Sequence, residues 1–217
     1  MKVHLLLGAP GSGKGSQAKL FEEKFGLTHV STGDILRDSV SKGTEVGLLV
    51  KASMASGKLV DDGTINGIAF ARLQDDSRDV FFDGYPRTLN QAMALDDFLS
   101  NKGFQLGLVV YIDVPMSVLE SRVVNRRICT NSVCGAIYHL EQKKPIVDGV
   151  CDRCKSPVEL RSDDSVQAFE ARMKVFYAYY EPMLDYYRER PNFRQVDGLA
   201  TPDEVFKVIS RYYEEFV

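Results

Sequence analysis

The sequence predicts an α/β fold of three layers, with a parallel five-stranded sheet covered by helices on both faces. Short apolar runs bounded by Gly, Pro, Asp or Ser alternate with longer segments of helical period. The first of those runs passes through a glycine-rich turn straight into a helical segment. With 217 residues and 44% apolar composition, the chain is long enough to bury one sizeable core, here expected to carry inserted lobes.

Five runs are predicted as strands: residues 3–7, 28–31, 80–83, 108–113 and 193–197. The last helix is announced by Thr201-Pro202-Asp203-Glu204, a capping box with proline at the first helical position, after which Val205, Ile209 and Tyr212 recur at helical spacing. A second helix is predicted over 164–190. Phe169, Met173, Phe176, Tyr180, Leu184 and Tyr187 stripe it at intervals of three and four, and Pro182 offers a position for a kink. Between about 127 and 160 the helical rhythm stops. A stretch of that length is a functional loop or a small unit of its own.

The charge balance, 27 Lys and Arg against 30 Asp and Glu, gives net −3, so nothing global draws the chain to nucleic acid or to anionic membrane. Any anion site must be local. The early apolar run is too short for a secretory segment or a membrane span, which leads to the expectation of a cytoplasmic or organelle-matrix protein.

Gly8, Pro10, Gly11, Ser12, Gly13, Lys14, Gly15 and Ser16 form a strand-to-helix turn in which backbone N–H groups and a helix N-terminus can cradle phosphate, with Lys14 on the terminal phosphates. The Gly-x4-Gly-Lys spacing is the P-loop pattern, except that Gly15 stands where Ser or Thr usually binds Mg²⁺, leaving Ser16 as the nearest hydroxyl. Asp83 ends an apolar strand at the carboxyl edge of the sheet, where it could hold Mg²⁺.

From these residues onward the chain resembles the nucleoside monophosphate kinase family, and within it the adenylate kinases. The glycine-rich loop has Gly after its lysine. Thr32-Gly33-Asp34-Ile35-Leu36-Arg37 is similar to the family's monophosphate-binding turn, and Lys58-Leu59-Val60-Asp61-Asp62 to its adenine-pocket segment. Asp83-Gly84-Tyr85-Pro86-Arg87-Thr88-Leu89-Asn90-Gln91-Ala92 resembles its signature, with Tyr85 where Phe is frequent. Arg122, Arg126, Arg161, Asp163, Asp164 and Arg172 fall at the positions of its lid and hinge residues. The resemblance covers essentially the whole chain.

It implies a core (1–30, 61–122 and 162–217), a monophosphate-binding lobe (31–60) and a lid (123–161). It also implies Mg²⁺-dependent phosphoryl transfer from ATP to AMP giving two ADP, in a monomer that binds neither nucleic acid nor membrane. By the same resemblance Thr32, Gly33, Arg37, Lys58, Val60, Gly84, Arg87, Gln91, Arg161 and Arg172 hold AMP, with Gln91 on its base. Lys14, Arg122, Arg126, Arg161 and Arg172 surround the phosphates, and Tyr138 and His139 flank the donor nucleotide. Arg122 and Arg126, four apart, are expected on one helix face, where like charges repel unless an anion sits between them. No catalytic base is expected, because a phosphate acceptor is already largely anionic at neutral pH.

Cys129-x4-Cys134 and Cys151-x2-Cys154, with sixteen residues between the pairs, suit a tetrahedral four-thiolate zinc site. Metal-free thiols, iron and redox disulfides are the alternatives. Relatives with zinc-bearing lids have a two-residue gap in the first pair, where this chain has four. Three other functions compete. Against a kinase for UMP, CMP or GMP, or one using GTP as donor, stand the long lid, which by resemblance the UMP/CMP relatives lack, and Gln91, which suits adenine. A P-loop hydrolase or switch has no use for a second set of anion-binding residues. A zinc-ribbon nucleic-acid module calls for a basic ribbon, but 127–160 mixes both signs.

Overall fold

The computed structural model describes residues 1–74, 78–131, 133–161 and 163–216. Five strands, β1 (Lys2–Leu7), β2 (Thr28–Ser31), β3 (Val80–Asp83), β4 (Gln105–Asp113) and β8 (Phe193–Asp197), form one sheet in the order β2-β3-β1-β4-β8, every pairing parallel. Strand β4 starts earlier than its apolar run predicts, because Gln105 and Leu106 pair with Lys2 and Val3 before the register shifts between Val3 and Leu5. Gly107 lies at that shift. A Cβ there would come within 2.5 Å of the buried His4 ring, so only glycine permits the approach.

Alternation along the strands divides the core in two. Val3, Leu5, Leu7, Val80, Phe82 and Val109 pack on one face with α4 (Asp62–Gln74), α5 (Leu89–Lys102) and α7 (Val166–Arg188). Leu6, Phe81, Leu108, Val110 and Ile112 pack on the other with α1 (Lys14–Phe25), α6 (Met116–Val124) and α8 (Pro202–Glu214). The three predicted layers are present.

The stripe along α7 is core as read: Phe169, Met173, Tyr180, Leu184 and Tyr187 are buried, while Phe176 packs against both clusters. Ser165 caps α7 by accepting from the Ala168 N–H, the helix being two residues shorter than predicted at each end, and Pro182 lies within the helix without ending it. The capping box of α8 is formed, Thr201 accepting from the Glu204 N–H.

Two segments depart from the main sheet. After β2, α2 (Thr32–Ser41) packs closely on α3 (Glu45–Ala55), and any Cβ at Gly47 would overlap the Ser39 carbonyl at 2.1 Å. After α6, β5 (Arg126–Cys129), β6 (Ile137–His139) and β7 (Val158–Glu159) form an antiparallel sheet in the order β6-β5-β7. Ser132, within the first cysteine gap, and Ser162, at the expected start of the last core segment, lie outside the described residues. One expectation is corrected here. Arg122 and Arg126 do not share a helix face, because α6 ends at Val124, Asn125 is its cap and Arg126 opens β5. Among the described residues no helix is long and apolar enough to cross a membrane.

Candidate active site

The turn between β1 and α1 is bent by three glycines in left-handed or otherwise positive-φ conformations, Gly8 at 147°, Gly11 at 88° and Gly13 at 101°. A Cβ at Gly8 would meet Ser12 Oγ at 2.6 Å, and one at Gly11 the Leu119 carbonyl at 2.9 Å. Gly13 caps α1 with no side-chain hydrogen bond, which leaves the helix N-terminus for an external acceptor. Lys14 Nζ folds over the loop, donating to the carbonyls of Gly8 and Ala9, each at 2.8 Å, and to Ser12 Oγ at 3.2 Å. Gly8 N–H donates to the buried Tyr180 hydroxyl, which ties α7 to the loop. The sequence showed Tyr180 only as a core stripe position; the signal available was a hydroxyl among apolar neighbours, which needs a partner.

The residue after the lysine is explained by geometry. A Cβ at Gly15 would lie 3.0 Å from Asp83 Oδ2, so glycine makes room for the carboxylate at the end of β3. Burial pushes the Asp83 carboxyl up, but His29 and the Lys14 ammonium outweigh it and hold the group below its usual range. His29 Nε2 stands 3.7 Å from Asp83 Oδ2. Ser16 occupies the first turn of α1, half-buried.

Around this loop the chain gathers cations. Arg126 donates Nε to Asp164 Oδ2 at 2.7 Å and Nη2 to Oδ1 at 2.6 Å. Arg172 reaches Asp164 at 3.2 Å and Asp163 at 3.3 Å. Arg37 pairs with Asp34 at 2.6 Å and Asp163 at 3.3 Å, and Arg161 with Asp34 at 3.4 Å. Arg87 donates Nε to the Gly84 carbonyl at 2.7 Å. Lys14 and these five arginines thus face four carboxylates, Asp34, Asp83, Asp163 and Asp164. Burial pushes Lys14 down to about 8, Asp83 opposing it and Arg87, Arg126 and Arg172 adding to it. Burial also pushes Arg161 down to about 10, with Arg37 and Arg126 contributing. The Nε atoms of Arg161 and Arg172 are buried without a hydrogen-bond partner among the described residues. Buried donors amid excess positive charge are suited to receive an anion. Arg122 stands apart from this network, donating Nη2 to the Gly198 carbonyl at 2.9 Å.

A second cluster lies beside α2. Thr32 Oγ1 donates to the Gly84 carbonyl at 3.1 Å, and Gly33 leaves space for the Arg37 guanidinium. Gln91 is buried in the first turn of α5, where Thr88 caps the helix. Its Oε1 accepts from the Arg87 N–H at 2.8 Å and its Nε2 donates to Asp62 Oδ1 at 2.7 Å. Val60 is buried, whereas Lys58 is exposed. Asp34 and Asp62 were not singled out in the sequence, since an isolated Asp at a helix start reads as an ordinary capping residue.

The four cysteine sulfurs all lie within 4.8 Å of one another. Cys129 and Cys154 are 3.3 Å apart, and Cys134 and Cys151 3.7 Å, too long for a disulfide and close to the roughly 3.8 Å edge of a tetrahedron with zinc–sulfur bonds of about 2.3 Å. The donor set therefore fits a four-thiolate metal. Tyr138, expected at the nucleotide, has its hydroxyl engaged in this cluster, donating to Cys151 Sγ at 3.4 Å and accepting from Asp152 N–H at 2.7 Å. The neighbouring His139 accepts two backbone N–H groups on Nδ1 and keeps a buried Nε2 with no partner among the described residues. The cysteine sheet rests on α1 through Lys19, which donates to the Cys134 and Gly135 carbonyls, and through Arg153 paired with Glu23 at 3.0 Å.

Comparison with known proteins agrees with this geometry. The family model described as adenylate kinase matches residues 6–192. The chain is 43% identical to the adenylate kinase of Clostridium acetobutylicum, over 96% of this chain and 97% of that protein. It is 44% identical to that of Rhizobium rhizogenes, over 93% and 94%, and 40% identical to that of Archaeoglobus fulgidus, over 97% of each. With a glycine-rich loop between β1 and α1, a cluster of arginines beside it and relatives of this identity along nearly its full length, the chain belongs to the adenylate kinase family.

Proposed function

We infer that the chain catalyses reversible, Mg²⁺-dependent transfer of a phosphoryl group from ATP to AMP, giving two ADP. The observation that carries this reading is the excess of buried cations around the glycine loop, with the Nε donors of Arg161 and Arg172 left without acceptors among the described residues. Phosphoryl transfer between two nucleotides requires in-line placement of mutually repelling anions and compensation of the charge spreading over the transferred group. Lysine and bidentate arginines supply that compensation.

In this reading Lys14 leaves the loop carbonyls for the donor phosphates. Arg126, Arg161 and Arg172 exchange their carboxylate partners for the transferring group, with Arg122 at the donor side. Arg37 and Arg87 clamp the AMP phosphate beside Thr32 and Gly33. Gln91, Val60, Lys58 and Gly84 form the base pocket. The loop residues Gly8, Pro10, Gly11, Ser12, Gly13, Gly15 and Ser16 hold the donor phosphates through their backbone, while the 123–161 lid, with Tyr138 and His139, covers the donor. Asp83 and Ser16 are the residues that would hold Mg²⁺, which when bound screens the charge of the donor phosphates. Cys129, Cys134, Cys151 and Cys154 would hold zinc, with no ligand position left for substrate, so the metal stiffens the lid. The reading describes a cytoplasmic monomer.

The test is an acceptor screen with Mg-ATP and each of AMP, GMP, CMP and UMP, following nucleoside diphosphate and free phosphate together. ADP formed with AMP alone and without free phosphate is the expected result. Phosphate release whichever acceptor is present would overturn the reading in favour of a hydrolase.

A further inference from the structure

Gln91, taken above as the residue that meets the acceptor base, has an amide that is held from two sides. Arg87 N–H donates to Oε1 at 2.8 Å and Nε2 donates to Asp62 Oδ1 at 2.7 Å. Asp62 is itself held, accepting from Thr88 Oγ1 at 3.1 Å, and the same Thr88 oxygen accepts the Gln91 N–H at 3.1 Å. A backbone N–H can only donate and a carboxylate can only accept, so one of the two amide orientations satisfies both neighbours. Turning the amide over would set N–H against N–H and oxygen against carboxylate.

That constraint has a chemical consequence at the base. The amide keeps one free N–H on Nε2 and one free lone pair on Oε1. A 6-aminopurine presents an acceptor at N1 and a donor at the 6-amino group. A 6-oxopurine of the same shape presents a donor at N1 and an acceptor at O6. A glutamine free to turn over could pair with either.

We propose that Asp62 is a specificity-determining positioning residue, which with the Arg87 N–H holds the Gln91 amide in the one orientation that reads a 6-aminopurine and rejects its 6-oxo isostere. The inference rests on the acceptor-site reading above and extends it from the glutamine to the pair that orients it.

The experiment compares kcat/KM for AMP and for IMP, its 6-oxo counterpart, in the parent protein and in Asp62→Asn and Asp62→Ala. In the parent the ratio should be on the order of 10⁴, as for a site whose buried polar groups would be left unpaired by the wrong substrate. In both variants it should fall by about tenfold or more, chiefly through a lower KM for IMP. Because the ratio is taken on one sample, it is unaffected by the fraction that folds. If Asp62 served only to support the first turn of α4, AMP and IMP activity would drop together and the ratio would stay; that result overturns the proposal while the kinase reading stands. A parent that phosphorylates neither nucleotide overturns both.

Discussion

Arg126 and Asp164 form a two-point ion pair in which the carboxylate is fully buried and also serves Arg172. Phosphate would compete for the same guanidinium faces, so the pair reads as a counter-ion that stands in when nucleotide is away. Asp164→Ala should destabilise the nucleotide-free protein by about 3 kcal/mol, since it takes from Arg126 the carboxylate it pairs with and leaves Arg172 with Asp163 alone. Urea unfolding with and without saturating tripolyphosphate checks it. The penalty should shrink when the anion is present, and an equal penalty in both conditions would show that the arginines do not exchange partners.

Lys14 gives a second prediction. In the free protein its ammonium is pushed down to about 8 by burial and by neighbouring arginines. Donor phosphates favour the charged form, so binding must take up a proton wherever the free lysine is partly neutral. At pH 8.5, calorimetric titration with ATP in two buffers of different ionisation enthalpy should show uptake of more than about half a proton. Lys14→Met should abolish that uptake as well as weaken binding. Uptake that persists in the variant would assign the proton elsewhere.

Much of this was legible in the chain itself, for physical reasons that differ by element. β3 matches its apolar run because a parallel strand in the middle of the sheet must be apolar on both faces, whereas β2 and β8, at the two edges, match their predicted bounds while carrying polar residues such as Thr28, Arg194 and Gln195. The start of β4 was not legible, since Gln105 and Leu106 join the sheet through backbone pairing with β1. Arg122 and Arg126 misled because a four-residue spacing implies a shared face only if the helix continues, and nothing local in Val124-Asn125 announces its end. The arginines, and Asp163 and Asp164, could be named from the resemblance, but not which pairs with which. Asp34, Asp163 and Asp164 acquire meaning only when α2, the end of the cysteine segment and α7 meet. For the same reason Asp62, twenty-nine positions from Gln91, carried no signal of its bond to it.

The cysteine cluster predicts a metal content. The protein as purified should carry one equivalent of zinc, and Cys151→Ser should lower it below about a tenth while reducing the thermal midpoint by several degrees, because metal binding is coupled to folding of the segment it holds. Iron in place of zinc would change the metal but not the site. Four thiols that react rapidly with a thiol reagent in the native, metal-free protein would remove the site altogether.

His4 should make the protein acid-sensitive. Its ring is fully buried between Phe81 and Tyr213, with centroids 5.0 and 5.2 Å away, and Nδ1 accepts the Leu108 N–H at 2.9 Å. Nε2 therefore carries the proton of the neutral ring and has no partner among the described residues. Burial pushes the imidazole down from 6.5 to about 4, Asp79 opposing only in part. As pH falls below 6.5 the unfolded chain takes up a proton at this position and the folded chain does not, so stability declines down to about pH 4. The depression corresponds to about 3 kcal/mol in full. His4→Asn, whose side-chain oxygen can still accept from Leu108, should be somewhat less stable at pH 7.5 for lack of packing. Between pH 6 and 4.5, however, it should lose stability less steeply than the parent, by about one proton or 1.4 kcal/mol per pH unit. Urea unfolding at four pH values decides it: parallel acid slopes in the two proteins would mean that another group governs the decline.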